Sequence, residues 1–246
     1  APGPAPAAAQ TAAPSTAPTE GEYLYNVTLL RAAPGHFNDL MDALEAAAAV
    51  HRDAGDEAPF WIRHSQGDHW DFMLIHPMAS WEAHFAGERV RRRAAAWEGE
   101  AGRRVRARLE TYTAYREEWF ARSVPLEALR RRFEGMGMFH VEMFAGLPGR
   151  RAELVEQRRM ENRYYAVLER QQNLIFVREA GPDWDAMTIG FFPSLQAFAA
   201  AGAATSEADQ EAAARVAGFA GVNDIGPYLR SLLSYHHDTL ALRVQR

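Results

Sequence analysis

From Gly21 to Arg31 the chain alternates, with Tyr23, Tyr25, Val27 and Leu29 on one side and Leu24, Asn26, Thr28 and Leu30 on the other. A two-residue period of this kind predicts a half-buried strand. Ala33-Pro34-Gly35 turns the chain. From Phe37 the positions Leu40, Met41, Leu44, Ala47, Ala48 and His51 then recur at intervals of three and four, which predicts a helix with one core-facing stripe. Phe60 to Ser65 and Trp70 to His76 are short aromatic and β-branched runs joined through Gln66-Gly67-Asp68, the signature of a hairpin. Pro77 to Ser80 ends the hairpin, and Ser80 is placed to cap a helix starting at Trp81. Helical patterning continues, with breaks, through Tyr115, and Glu118 to Val124 reads as a closing strand. The predicted order is β-α-β-β-α-β.

That order occurs twice. At a shift of 114 positions, Met138 to Tyr165 lies on Leu24 to His51: Pro148-Gly149 falls on Pro34-Gly35, Val141 on Val27 and Leu154 on Leu40. The same shift places Trp184-Asp185 on Trp70-Asp71, Met187 on Met73, Ile189 on Ile75 and Ser194 on Ser80. Near the ends the shift is 120, matching Ala114 to Glu118 with Ser234 to Asp238. Self-similarity at a fixed offset predicts an internal duplication. The expected organisation is a Pro/Ala-rich tether over residues 1–21, a first repeat over 22–124, a partly helical connector over 125–137 and a second repeat over 138–246. Expected elements of the second repeat are a strand over 138–145, a helix over 151–170, a hairpin over 173–191, a helix from Ser194 and a final stretch through Val244. A β-α-β-β-α-β unit is the ferredoxin-like split βαβ arrangement, so the fold class is α+β, with two such units packing their sheets together.

The two copies differ where their helices meet their sheets. Phe37, Leu40, Met41, Leu44, Ala47, Ala48 and His51 become Arg151, Leu154, Val155, Arg158, Glu161, Asn162 and Tyr165. On the sheet, Asn26 and Thr28 become His140 and Glu142, while Phe72, Leu74 and His76 become Ala186, Thr188 and Gly190. Polarity has been added and bulk removed, so a polar pocket is expected in the second repeat and a filled, structural interface in the first. His140, Glu142 and Arg158 are the candidate catalytic residues: His140 as general acid or base, Glu142 holding it, and Arg158 binding an anionic oxygen. Glu161, Asn162, Tyr165, Thr188 and Trp184 are the candidate substrate-binding residues, although Trp184 has a counterpart in Trp70 and reads equally as a fold determinant. A metal-assisted variant would use His140, Glu142, Glu161 and His236 or His237, expected to arrive from a last helix. These N and O donors suit iron, manganese or zinc. Each feature also has a plainer reading: a His–carboxylate pair on a strand, an Arg–Glu pair on a helix surface, or an exposed His pair.

Composition narrows the field. A formal charge of −5 and 48% hydrophobic residues describe a globular chain without the concentrated basic surface that nucleic acid binding requires. The arginines from Arg89 to Arg108 alternate with Glu88, Glu98, Glu100 and Glu110, as on a solvated helix laced with ion pairs. With no Cys, disulfides, thiolate nucleophiles and Cys-ligated metals are excluded. No apolar run is long enough to span a bilayer. The small-residue start without Met leads to the expectation of a removed secretory signal and a periplasmic or secreted location. No nucleophile elbow, Walker loop, dinucleotide fingerprint or His-Glu-x-x-His helix is present.

The succession of strand, Pro-Gly, helix, hairpin, Ser and helix, given twice, resembles the dimeric α/β-barrel superfamily, and most nearly its NIPSNAP-type branch fused in tandem. The resemblance covers nearly all of residues 22–246. It implies the sheet packing of those barrels and, among the activities of the superfamily, cofactor-free monooxygenation, cyclisation or haem chemistry; some members have no known activity. The expectation is therefore a small-molecule enzyme, monooxygenase-like or metal-assisted, with a metal ion or no cofactor at all. The alternatives are a non-catalytic small-ligand-binding protein of the cell envelope and a structural or assembly module. The expected partner is a small organic ligand, with a homo-oligomer left open.

Overall fold

The computed structural model of the chain describes residues 21, 23–181, 183–201 and 205–244, so the expected tether lies outside the described residues, apart from Gly21. The first half contains strand β1 (Tyr23–Ala32), helix α1 (Phe37–Asp53), the hairpin β2 (Phe60–Gln66) and β3 (Phe72–Ala79), helices α2 (Trp81–His84), α3 (Gly87–Glu98) and α4 (Glu100–Tyr112), and strand β4 (Thr113–Ser123). A connecting helix α5 (Leu126–Phe133) leads to β5 (Met138–Gly146), α6 (Arg151–Val167), the hairpin β6 (Leu174–Ala180) and β7 (Ala186–Phe192), α7 (Leu195–Ala200), α8 (Glu207–Ala217), a 3-10 turn (Val222–Asp224), α9 (Ile225–Leu232) and β8 (Leu233–Arg243). Ser80 and Ser194 cap α2 and α7, their hydroxyls accepting from Ala83 N and Ala197 N. The closing strands begin earlier than periodicity predicts. Helix α4 stops at Tyr112, and residues 113–115, expected to be helical, are already strand because they pair with Arg31 and Ala32 along β1.

The eight strands close into one antiparallel barrel in the order β1-β3-β2-β8-β5-β7-β6-β4. Within it the first half is ordered β4-β1-β3-β2 and the second β8-β5-β7-β6, and the seams are β2 against β8 and β4 against β6. Strand alternation divides the apolar residues between two interiors. Tyr25, Val27, Leu29, Met73, Ile75, Val141, Met143, Met187 and Ile189 fill the barrel, whereas Leu30, Phe72 and Leu74 pack beneath α1 with Leu40 and Leu44. Tyr25, at full burial, satisfies its hydroxyl on Val124 O at 2.8 Å. The arginine-rich α3 and α4 carry Arg92–Glu88 and Arg104–Glu100 pairs, while Arg89 reaches back to Asp56 at 2.5 Å.

Two glycines hold the seams. Gly67 has φ +108°, and a Cβ there would lie 2.2 Å from Asp238 O on β8; Gly181 has φ +122°, and a Cβ would lie 2.8 Å from Trp119 Cα on β4. Each hairpin thus leans on the last strand of the other half through a position where a side chain meets backbone. Gly67→Ala and Gly181→Ala should each cost about 2–4 kcal/mol, from backbone strain plus overpacking. Denaturant midpoints are the check, and a neutral Gly67→Ala variant would show that the seam tolerates separation.

Candidate functional site

Helix α6 lies over the outer face of β5, β7 and β8, where cross-strand register aligns Glu142 with Thr188 on one side and Asp238 on the other. Leu154 and Val155 pack with Phe144 and Ala186 at one end of this interface. At the other end, Tyr164 packs with Ala213, Ala214, Ala217 and Phe219 around α8. Between them the interface is polar. Arg158 is 3% exposed, and its guanidinium lies 4.7 Å from the Phe144 ring centroid. It donates through Nε to Gln157 at 2.7 Å, through Nη2 to Glu161, and faces Glu142 through Nη1 at 3.5 Å. Thr188 Oγ1 donates to Glu142 at 3.0 Å, and the Tyr165 hydroxyl to Glu161 at 2.6 Å. Buried charges persist only when paired and hydrogen-bonded, and these meet that condition.

His140 stands at the more open end, with Nε2 2.5 Å from Asp238 Oδ1 and its ring 5.3 Å from that of Phe198. Gly190 makes room beside it, since a Cβ there would lie 2.9 Å from Asn173 Oδ1 and 3.6 Å from His140 Cβ. Burial alone would lower the His140 pKa, but the Asp238 hydrogen bond and the Glu142, Asp238 and Glu161 charges together raise it above the ordinary histidine value. Burial raises the Glu142 carboxyl above its usual range against the pull of Arg158. Asp238 is lowered, chiefly by its hydrogen bond to His140. Burial and the neighbouring Glu161 push the Tyr165 phenol up strongly, so it is a hydrogen-bond donor throughout the neutral range. The arrangement can hold or pass a proton at His140 and keep a second one near Glu142. One donor atom from each of His140, Glu142 and Asp238 lies within 4.8 Å of the others, so the trio could also hold a metal ion.

His140, Glu142, Arg158, Glu161, Tyr165 and Thr188 are therefore brought together. Asn162 lies on the same helix but spends its amide on the backbone of Asn173, donating to its O at 2.8 Å and accepting from its N at 2.9 Å, which fixes the start of β6. Trp184 is not part of this site. It is 4% exposed, belongs to the barrel-interior cluster, and donates Nε1 to Glu117 at 2.6 Å. His236 and His237 arrive on strand β8, not on a helix, so successive side chains face opposite ways. His236 lies near Phe144 on the outer face, with ring centroids 6.2 Å apart. His237 faces the barrel mouth, where Nδ1 meets Asp68 Oδ2 at 2.9 Å and the ring sits 4.9 Å from Trp184. The combined metal set of His140, Glu142, Glu161 and His237 is thus divided by the sheet. Asp238 was the residue sequence reasoning missed.

The equivalent interface of the first half is filled. Leu44 occupies the place of Arg158, within a cluster of Leu30, Leu40, Phe72 and Leu74 backed by Phe37, Met41 and Trp61. A cleft of about 390 Å³ opens elsewhere, among Phe37, Met41, Arg63, Gly137, Leu242, Arg243 and Val244, and includes none of the expected site residues. No helix among the described residues is long and apolar enough to cross a membrane.

No family model matches the chain, and neither does any curated protein. Solved structures do. An anthrone oxidase-like protein superposes with a TM-score of 0.55 at 14% identity, over 91% of this chain and 92% of that one. A proposed monooxygenase from Lactobacillus acidophilus gives 0.51 at 6% identity, over 91% and 95%. A proposed monooxygenase from Fusobacterium nucleatum gives 0.51 at 8%, over 91% and 94%. At these identities the likeness speaks for architecture alone. With its closed antiparallel barrel and outer helices, the chain shares its overall fold with these structures.

Proposed function

We propose that the chain is a small-molecule enzyme whose chemistry is proton transfer at His140, of the monooxygenase-like type. The observation that carries this reading is the hydrogen-bonded His140–Asp238 pair at the open end of an otherwise buried Arg158–Glu142–Glu161 network. His140 takes a proton from an acidic CH2 carbon of a planar organic substrate seated beside Phe198; dioxygen adds to the resulting carbanion, and the hydroperoxide, once protonated, loses water to leave a carbonyl, so one oxygen atom enters the product and the other leaves as water. Burial raises the Glu142 carboxyl above its usual range, and Arg158 beside it balances the charge that develops on the substrate. The names of the similar structures, an anthrone oxidase-like protein and two proposed monooxygenases, agree with this direction.

The test is oxygen consumption and loss of substrate absorbance over a panel of hydroxyaromatic and anthrone-type ketones. His140→Gln should lower the rate by about 100-fold, within the range for loss of a general base. A base works in its neutral form, so the parent's rate should rise with pH through a value above the ordinary 6.5 of histidine. Asp238→Asn removes the raising hydrogen bond and should move that rise to lower pH. An unchanged rate in His140→Gln would eliminate the proposal. A second reading, non-catalytic ligand binding, is favoured by one fact: the Arg158 donors are already engaged within the chain. Tight binding with no turnover in the parent would select it.

We also infer that the chain arose by tandem duplication of a ferredoxin-like unit, with repeats at 22–124 and 138–246 and a connector between, in the manner of the NIPSNAP-type branch. The matching strand orders and the matched glycines Gly67 and Gly181 support this.

A further inference from the structure

The α6 site leaves unused a second group of chemistry-bearing residues on the other side of the sheet. Asp68, in the β2–β3 hairpin, has a side chain only 1% exposed. Its Oδ1 accepts from His69 N and lies against His69 Nδ1, both at 2.7 Å; its Oδ2 accepts from Trp70 Nε1 at 2.9 Å and lies 2.9 Å from His237 Nδ1. None of these partners is an arginine. These hydrogen bonds favour the charged carboxylate, and the two imidazoles or a bound cation can balance its charge.

Three further features favour a cation. Both rings turn Nδ1 toward the same carboxylate, and the three donor atoms lie within 4.8 Å of one another. The carboxylate offers Oδ1 to His69 Nδ1 at 2.7 Å and Oδ2 to His237 Nδ1 at 2.9 Å, so both rings converge on it. The imidazole side chains are 43% and 33% exposed, so the face away from Asp68 is open for exchangeable ligands. Finally, Thr239 Oγ1 is buried without a hydrogen-bond partner on the same face of β8 as His237, and Gly67 packs against the Thr239 Cα. A polar group left in that condition marks a place where a polar occupant belongs. The surroundings are supportive: His64 Nε2 accepts from Asp68 N at 3.1 Å, and Trp184, Tyr235 and Tyr115 ring the opening.

We propose that Asp68, His69 and His237 bind one divalent transition-metal ion at the mouth of the barrel, through two Nδ1 atoms and one carboxylate oxygen. Two imidazoles and a carboxylate with open positions suit iron(II), cobalt(II) or zinc, and exclude magnesium and calcium, which prefer all-oxygen shells. The site needs strands from both halves, since His69 follows β2 and His237 lies on β8. It is independent of the chemistry proposed for His140.

Cobalt(II) is the probe, because its visible d–d bands report the ligand set. The full chain, stripped with a chelator and titrated with cobalt(II), should bind one equivalent. His69→Ala and His237→Ala should each weaken binding at least 10-fold, and His140→Ala should leave it unchanged. Circular dichroism of each variant guards against unfolding; His69→Asn and His237→Asn serve as second variants of closer shape. Failure of the parent to bind, or equal binding by the His69→Ala/His237→Ala double variant, would overturn the site. Loss of binding on His140→Ala alone would move the metal to the α6 face and overturn it as well.

Discussion

Arg158→Ala should destabilise the protein by about 3–5 kcal/mol, the cost of removing one partner from a buried ion pair. The reason lies in what remains. Glu142 and Glu161, with side chains only 13% and 15% exposed, would keep Thr188 and Tyr165 as hydrogen-bond donors but lose the one guanidinium that faces both. Arg158→Lys should recover little, because a single ammonium cannot span Gln157, Glu161 and Glu142 as a planar fork does. By contrast, Arg158→Met combined with Glu142→Gln and Glu161→Gln should recover most of the loss, since charge and counter-charge leave together. Urea midpoints for the three variants provide the check. If the triple variant were as unstable as Arg158→Ala, packing against Phe144, and not charge, would be the explanation.

The second large effect concerns acid. His76, on β3 beneath α1, is pushed down to about 3 by burial, reinforced by its neighbours His51, Arg116 and His84. Its ring lies 5.2 Å from that of His51, which in turn is 5.3 Å from Trp97 and is itself lowered by burial. The folded state therefore refuses a proton that the unfolded chain accepts near pH 6.5. Stability from this group is complete above about pH 6.5 and is lost progressively as the pH falls toward 3. At about 1.4 kcal/mol for each unit of pKa, the loss amounts to a few kcal/mol. His76→Leu should flatten the decline in stability between pH 7 and pH 4, because a neutral side chain continues the layer of Phe72 and Leu74. Parallel pH dependences in parent and variant would assign the acid sensitivity to other groups.

Much of the architecture was readable from two periods in the sequence. Tyr25, Val27 and Leu29 marked the barrel interior, Leu40 and Leu44 marked the helix face, and Pro-Gly pairs marked the turns. Arg158 in place of Leu44 and Glu142 in place of Thr28 are the exchanges that bring charge between α6 and the sheet. Two things were not readable. The first was the direction of adjacent residues near the end of the chain: His236 and His237 share a helix face approximately, but on a strand they are separated by the thickness of the sheet, and local pattern did not decide between the two. The second was partnership across the sheet. Asp238 gains its meaning from alignment with Glu142, and Asp68 from contact with His237, at sequence separations that periodicity does not register.

The β2–β8 seam also bears on how the chain is made. Ile62 pairs with Arg243, so an edge formed early in synthesis waits for the last strand before it is covered. At roughly 5–20 residues per second, the backbone groups of β2 stay unpaired for about 10–40 s after they emerge. Through that interval the nascent chain carries an open template for pairing with its neighbours. Arg63, His64 and Gln66, which lie along that edge, put polar side chains where an apolar strand would recruit a second copy.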